Sequence, residues 1–421
     1  MSVVTLQLGQ CGNQLGYALF DKLSTELMQF DALEKDIFFR NAREKHQPAI
    51  ARAVVMNSIE RAEKGGKWQY DVNNQICQQS GSGNNWAYGY TVHGTASAEL
   101  VLERVRREVE HCDYFKGFHA IQSLAGGTGS GLGSFISDLL HDNFSHSYLL
   151  NSVIWPYQSG EVIVQNYNTL LTMACLSESS NGVLILQNDM ADQICQKLLS
   201  IPKPSFDQMN QVLANHIASV LLPAQPLQRF GRSQCQLPAI FQELCCHPGY
   251  RLMDIKLIPQ LSTRSRDFST HQWSGIMKHL LQMQIANSNL DEGLNWDISL
   301  ETSQRETINK SISNLLFLRG PDTASCPVNN FLDRKMYVNW NSNQFQVFSA
   351  SKPFNHYDKT ASLLSNSQSV VRPLEKMISK AHQMYAAKAY LHQYAAYDVD
   401  LEFFNSCFLR LDQIVLNYTT I

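Results

Sequence analysis

The sequence predicts an α/β fold: a doubly wound, mainly parallel sheet, a long central helix, a second and smaller mixed-sheet α+β domain, and helices at the C-terminal end. Three observations predict it. Residues 1–204 alternate short apolar runs with helix-period segments, the pattern of a parallel sheet with crossover helices. Residues 125–131 read Ala-Gly-Gly-Thr-Gly-Ser-Gly between a strand-like and a helix-like stretch. From Ser205 to Leu222 one long helical pattern runs into Pro223 and Pro226, after which the order of elements changes.

Strands are expected at Val3 to Leu8, Ala51 to Met56, Phe118 to Leu124, Asn151 to Trp155 and Gly182 to Gln187, each apolar and ended by polar or turn residues. The clearest helix runs from Thr95 to His111, with Ala98, Val101, Leu102, Val105 and Val109 on one face and Glu99, Glu103, Arg106, Arg107 and Glu110 mostly elsewhere. Beyond the central helix, strands are expected at Tyr250 to Ile258, Ile312 to Leu318, Met336 to Trp340, Phe345 to Ser349 and Ala361 to Leu364, with a helix at Trp273 to Ala286. Leu374, Met377, Ile378, Ala381, Met384, Tyr385 and Lys388 keep helical spacing after Pro373 in the first turn, and a last helix covers Leu401 to Tyr418.

In the loop at 125–131, Gly126, Gly127, Gly129 and Gly131 remove every side chain that would hold the backbone off a ligand, and Thr128 and Ser130 add hydroxyls. A concavity of N–H groups opening a helix favours phosphate. No Gly-Lys-Ser/Thr follows, and the spacing does not fit Gly-x-Gly-x-x-Gly, so neutralising charge must come from elsewhere, with Mg²⁺ the natural source. Two further glycine loops, Gly9-Gln10-Cys11-Gly12-Asn13-Gln14 and Gly81-Ser82-Gly83-Asn84-Asn85-Trp86, follow earlier strand or turn positions. In a doubly wound sheet three such loops can surround one nucleotide; singly, each also reads as an ordinary turn.

The 421 residues carry 34 basic and 37 acidic side chains, a net charge of -3, and 44% hydrophobic content. This suits two or three cored domains and argues against nucleic acid or an anionic membrane as partner. The longest apolar runs fall short of a membrane span, and the polar residues Gln7, Gln10, Asn13 and Gln14 break the N-terminal stretch, so a soluble, cytosolic chain is expected. Ten cysteines are scattered without a Cys-x-x-Cys pair and read as reduced structural thiols, with vicinal Cys245-Cys246 set aside. A nucleotide-dependent enzyme would need a catalytic set that is missing: there is no Gly-x-Ser-x-Gly, no His-Glu-x-x-His and no Walker lysine, and His141 and His146 stand five apart.

Taken together and in this order, the three loops resemble the nucleotide loops of the tubulins. The resemblance continues through Asn166-Tyr167-Asn168, Asn188 with Ile194-Cys195, Asn210, Leu318-Arg319-Gly320 and Lys388-Ala389-Tyr390-Leu391-His392, and so covers nearly the whole chain. Asn85-Trp86-Ala87-Tyr88-Gly89-Tyr90, Ile154-Trp155-Pro156-Tyr157 and Gly160 to Asn168 look most like the delta form, and the chain ends at Asn417-Tyr418-Thr419-Thr420-Ile421 without the acidic tail of the alpha and beta forms.

The resemblance implies GTP or GDP as ligand. Gln10 would lie near phosphates and metal, Cys11 and Gln14 near base and sugar, and Gly83 and Asn84 in the second loop. Ser123, Ala125, Gly126, Gly127, Thr128, Gly129, Ser130 and Gly131 would bind phosphates. Glu161 would take the ribose, Asn188 and Asn210 would read guanine through their amides, and Phe206 would stack on the purine. The plain alternatives are a core position for Phe206 and a helix cap for Asn188. The implied domains are a GTP-binding unit at 1–204, the central helix at 205–222, a second domain at 223–368 and a helical region at 369–421. The implied partners are other tubulin subunits joined head to tail, in centrioles, basal bodies and cilia.

Two departures stand out. Where the family carries an acidic loop for hydrated Mg²⁺, this chain has Asn57-Ser58-Ile59-Glu60, so Mg²⁺ is possible but doubtful and its ligands are unassigned. Where the family's far-end loop carries acids that activate water on a neighbour's nucleotide, Gln234, Gln236 and Ala239 stand instead, with Glu243 nearby. The chain is therefore expected to be at most a weak GTPase completed by a partner, and unable itself to activate a neighbour.

Overall fold

Strand β1 (Ser2–Leu8) is buried along its whole length, as a central strand covered on both faces must be. In the computed structural model, which describes residues 2–40, 48–56, 67–77, 80–160, 162–227, 237–261, 272–300 and 308–421, β1 anchors a parallel array. Its members are β2 (Ala53–Met56), β3 (Gln75–Ile76), β4 (Phe115–Ser123), β5 (Tyr148–Trp155) and β6 (Gly182–Gln187). Their spatial order is β6-β5-β4-β1-β2-β3. The chain moves outward from β1 to β3, returns to the other side of β1 at β4, and moves outward again to β6. The sheet is doubly wound, as predicted.

The period of two decides which side chains meet which helices. Val4, Leu6 and Leu8 face one way, into a core with Val101, Val105, Ile136 and Leu140 from helices α2 (Thr95–Glu110) and α3 (Gly133–Asn143). Val3 faces the other way, with Leu15, Leu19 and Phe20 from α1 (Gly9–Glu26). Helix α4 (Gln165–Ser179) and the short α5 (Asn188–Gln193) flank β6 in sequence. The predicted strand at Ala51 to Met56 divides: Ala49–Ala51 pairs with Phe39–Arg40 and Trp68–Gln69 in a small sheet, and only Ala53–Met56 joins β1.

The central helix α6 spans Phe206–Leu221 and opens on a capping box. The Gln208 N–H donates to Ser205 Oγ at 3.3 Å and the Ser205 N–H donates to Gln208 Oε1 at 2.9 Å, satisfying two otherwise orphaned donors. At the other end Arg319 donates to the carbonyls of Ser219, Leu222 and Pro223 at 3.1, 2.7 and 3.1 Å. Burial of that guanidinium lowers its pKa to about 10. Helix α1 lies along α6.

The second region holds β7 (Gln225–Pro226), β8 (Leu252–Ile258), β9 (Ser311–Arg319), β10 (Phe345–Ala350) and β11 (Thr360–Ser367), with helices α7 (Leu237–Leu244) and α8 (Trp273–Ile285). Its mixed sheet is continuous with the parallel one. Strand β8 runs parallel to β6 over Leu252 and Met253, then antiparallel to β11 over Asp254 to Ile258, giving a sheet of eleven strands among the described residues. The strand predicted at Met336 to Trp340 does not form. Asp333 Oδ1 accepts the Lys335 N–H at 2.9 Å and starts a 3₁₀ turn, Arg334–Met336, after which a single bridge joins Tyr337 to Ser311. Helices α9 (Val371–Ala386) and α10 (Leu401–Thr419) close the chain. Pro373 sits in the first turn of α9, but Lys388, predicted helical, lies beyond its end with φ +53°.

Candidate functional site

The strand registers place the loops. Leu8 lies opposite Met56 and Gln122, Ser123 opposite Ile154, and Trp155 opposite Gln187. The carboxyl ends of β1, β2, β4, β5 and β6 therefore reach one level, and their loops leave the same edge of the sheet. Between β1 and β4 the winding direction reverses, and such a switch point opens a crevice above the strand ends.

Backbone fills the floor of that crevice. Gly9 has φ +75°, and a Cβ there would lie 3.0 Å from Gly129 N and 3.2 Å from its Cα, so the first and third glycine loops touch main chain to main chain. A Cβ on Gly127 would lie 2.6 Å from Asn85 N, and one on Gly131 only 2.1 Å from Trp86 O. The second loop is thus pressed on the third, and Ser82 Oγ lies 2.9 Å from Thr128 Oγ1. Toward the open side, a Cβ on Gly81 or Gly83 would meet nothing within 4 Å. Helical structure begins at Gly127 and runs unbroken to Asn143, so the leading N–H groups lack intrahelical acceptors. The three loops contain no Lys or Arg; their positive potential comes from oriented amides.

One buried amide ties the arrangement together. Asn168, on α4, donates through Nδ2 to Asn84 O at 2.8 Å and Ala125 O at 2.7 Å. Its Oδ1 accepts from the Trp86 N–H at 3.1 Å and from the Tyr394 hydroxyl at 2.7 Å. Asn85 accepts from the Ala87 N–H at 2.9 Å and donates to Gln393 O at 2.8 Å. Trp86 is fully buried and stacks on Tyr90 with centroids 4.7 Å apart. Sequence reasoning noted Asn168 only inside a motif and assigned nothing to Ser82 or Tyr394, because their partners are remote in the chain.

The remaining predicted residues that the structure describes lie on β4, on the third glycine loop and on helices α1, α5 and α6. Gln10 and Gln14 are exposed on the first turns of α1, and Cys11 between them is half-buried, with its thiol pushed up to about 12 by burial; it is neutral. Ser123 ends β4 and its Oγ accepts the Ala125 N–H at 3.3 Å. Ser130 Oγ donates to Gly126 O. Asn188 is the first residue of α5; the cap position belongs to Gln187, which makes no side-chain cap bond. Phe206 opens α6 with its side chain 65% exposed, and Asn210, one turn on, is 6% exposed, so the core reading fits Asn210 and not Phe206. Both α1, which carries Cys11 and Gln14, and α5, which carries Asn188, pack on α6, which carries Phe206 and Asn210.

Glu161, Asn57 to Glu60, and Gln234 and Gln236 lie outside the described residues. Ala239 is half-buried in α7. Among the described residues no group of three His, Cys, Asp or Glu is arranged to hold a metal ion, and no helix is long and apolar enough to cross a membrane.

Comparison with known proteins agrees with this geometry. The GTPase domain model of the Tubulin/FtsZ family matches residues 2–196, the region that holds all three glycine loops. The chain is 40% identical to the tubulin delta chain of Canis lupus familiaris over 454 residues, covering 99% of each. It is 40% identical to the tubulin delta chain of Homo sapiens over 452 residues, again covering 99% of each. With the tubulin gamma chain of Saccharomyces cerevisiae the identity is 27% over 424 residues, covering 94% of this chain and 86% of that one. A domain of this kind binds guanine nucleotide, and the chain belongs to the Tubulin/FtsZ family.

Proposed function

We propose that the crevice holds GTP or GDP and that the nucleotide acts as an interface ligand in a cytoskeletal subunit joining other tubulins head to tail. The observation that carries this reading is the main-chain contact of Gly9 with Gly129 at the switch point, beneath glycines open toward solvent. Gly83, Asn84, Ser123 and residues 125–131 take the phosphates. Asn188 and Asn210 read the base edge, for which an amide carrying both donor and acceptor is suited. Phe206 offers an exposed ring face. Gln10, Cys11, Gln14 and Glu161 complete the set toward metal, sugar and base. Because the phosphates lie at one end of the subunit, the contact made by the next subunit depends on the outer phosphate. Heterologous contacts of this kind generate open filaments.

The similarity to tubulin delta chains supports placing this activity at centrioles, basal bodies and cilia. Asn57, which stands in the sequence where the family carries an acidic loop, supports metal-poor or GDP-like binding, since a neutral amide supplies none of the charge of a carboxylate. Gln234, Gln236 and Ala239 likewise lack a basic carboxylate, so this chain does not activate hydrolysis on a neighbour's nucleotide. The test is to extract small molecules from natively purified protein and identify base and phosphate number by mass spectrometry. Guanine nucleotide near one per chain is expected; adenine nucleotide, or none even after incubation with GDP, overturns the reading.

A further inference from the structure

Resting on the guanine-nucleotide reading, we propose that the C-terminal segment 388–399 is coupled to the nucleotide crevice through Asn168, a positioning residue that locks the second and third glycine loops to that segment. An Asn amide offers two N–H donors and two acceptor lone pairs, and all four are used here. The donors hold Asn84 O and Ala125 O, one from each loop; the acceptor holds Trp86 N–H and the Tyr394 hydroxyl. Ordering either loop against a ligand fixes the carbonyls that orient the amide, and the oriented amide fixes Tyr394. Linkage makes the coupling reciprocal.

Further bonds run the same way. Asn85 donates to Gln393 O at 2.8 Å and the Tyr167 hydroxyl to Ala389 O at 3.2 Å, while Phe403 leans on Trp86 at 5.8 Å. The segment is held locally by turn bonds such as Tyr397 N–H to Tyr394 O at 2.9 Å, but its backbone is irregular. Lys388, Tyr390 and Asp398 are non-glycine residues in the left-handed region, at φ +53°, +59° and +60°, and its own helix, Leu391–Ala395, is barely more than a turn. Such backbone persists only where its surroundings impose it. The bonds through Asn168 and Asn85 tie this irregular backbone to the crevice loops, so loosening the loops loosens the segment.

Hydrogen exchange of the full chain with and without saturating GDP tests this, alongside Tyr394→Phe, which keeps the ring and removes only the hydroxyl. In the wild type GDP is expected to slow exchange in both 124–131 and 388–399. Tyr394→Phe is expected to bind GDP about 5-fold more weakly and to lose the effect in 388–399 while keeping it in 124–131. A packing role for Tyr394 predicts no change with Phe. Wild-type protection confined to 124–131, or unchanged GDP affinity in Tyr394→Phe, overturns the coupling alone. Protection of neither segment overturns the nucleotide reading along with it.

Discussion

The two edges of the parallel sheet handle polar groups in opposite ways. At the carboxyl edge the glycine loops carry no charged side chain, and the leading amides of the helix that the third loop opens lack intrahelical acceptors. At the amino edge, before β2 and after α2, charge is buried and paired. Arg52, 2% exposed, donates to Asp36 Oδ1 and His111 O, each at 3.0 Å, and stands 3.7 Å from the fully buried Glu108. Arg40 pairs with Asp71 and lies 3.6 Å from Glu108, which also accepts from Asn74 at 2.8 Å. Charges paired with one another make structure there, even with Arg40 Nε, Asn74 Oδ1 and Glu108 Oε1 left without a hydrogen bond; amides left without acceptors beside a backbone floor suit a binding site.

That contrast breaks most visibly at Glu108. Glu108→Ala removes the buried carboxylate shared by two guanidinium groups that keep Asp36 and Asp71 as partners and is expected to cost about 1–3 kcal/mol, read by denaturant unfolding, while the fraction that remains folded keeps its GDP affinity. Loss of binding in that fraction would show the edges to be one unit.

Between the edges, His119 of β4 is fully buried with Nε2 2.8 Å from Ser152 Oγ, and burial lowers its pKa from 6.5 to about 3. The unfolded chain therefore binds a proton that the folded chain refuses between pH 6.5 and about 3, so stability rises with pH across that window and is lost as pH falls. The loss by pH 5 is about 2 kcal/mol from this group. His216 is lowered in the same direction by burial and adds to it. Unfolding free energies from pH 7 to 5 check the slope, and a flat profile contradicts it.

At the carboxyl edge, Gly9→Ala meets both the left-handed φ and the 3.0 Å approach to Gly129. GDP affinity is expected to fall about 10-fold or more, near 1.4 kcal/mol, by fluorescent-GDP titration. Phe206→Ala is the smallest effect. Its ring is 65% exposed, so stability should stay within about 0.5 kcal/mol, while loss of stacking weakens GDP by about 1 kcal/mol. A large stability loss would mean that the ring belongs to the core.

Legibility in the sequence followed the range of the interactions. Gly182–Gln187 and the Ser205 cap could be read because apolar runs and capping residues are local. The glycines of the loops were legible as places of close approach, but the sequence pointed to a ligand there, whereas Gly9, Gly127 and Gly131 make room for the backbone of Gly129, Asn85 and Trp86. The false strand at Met336 to Trp340 had strand-like composition, but Asp333 turned the chain just before it. Asn168 and Tyr394 are 226 residues apart, and no local period encodes their bond. Glu108 did leave a signal: it lies seven residues after Val101 and three after Val105, on the buried stripe of α2. A carboxylate there had to be paired.

Everything proposed for the crevice requires a guanosine phosphate over Gly9 and Gly129 at the switch point. A high-resolution map of the protein with GDP in excess tests this. Phosphate density is expected against residues 126–130, with a purine beside Phe206; an empty crevice, or GDP bound elsewhere, would rule it out.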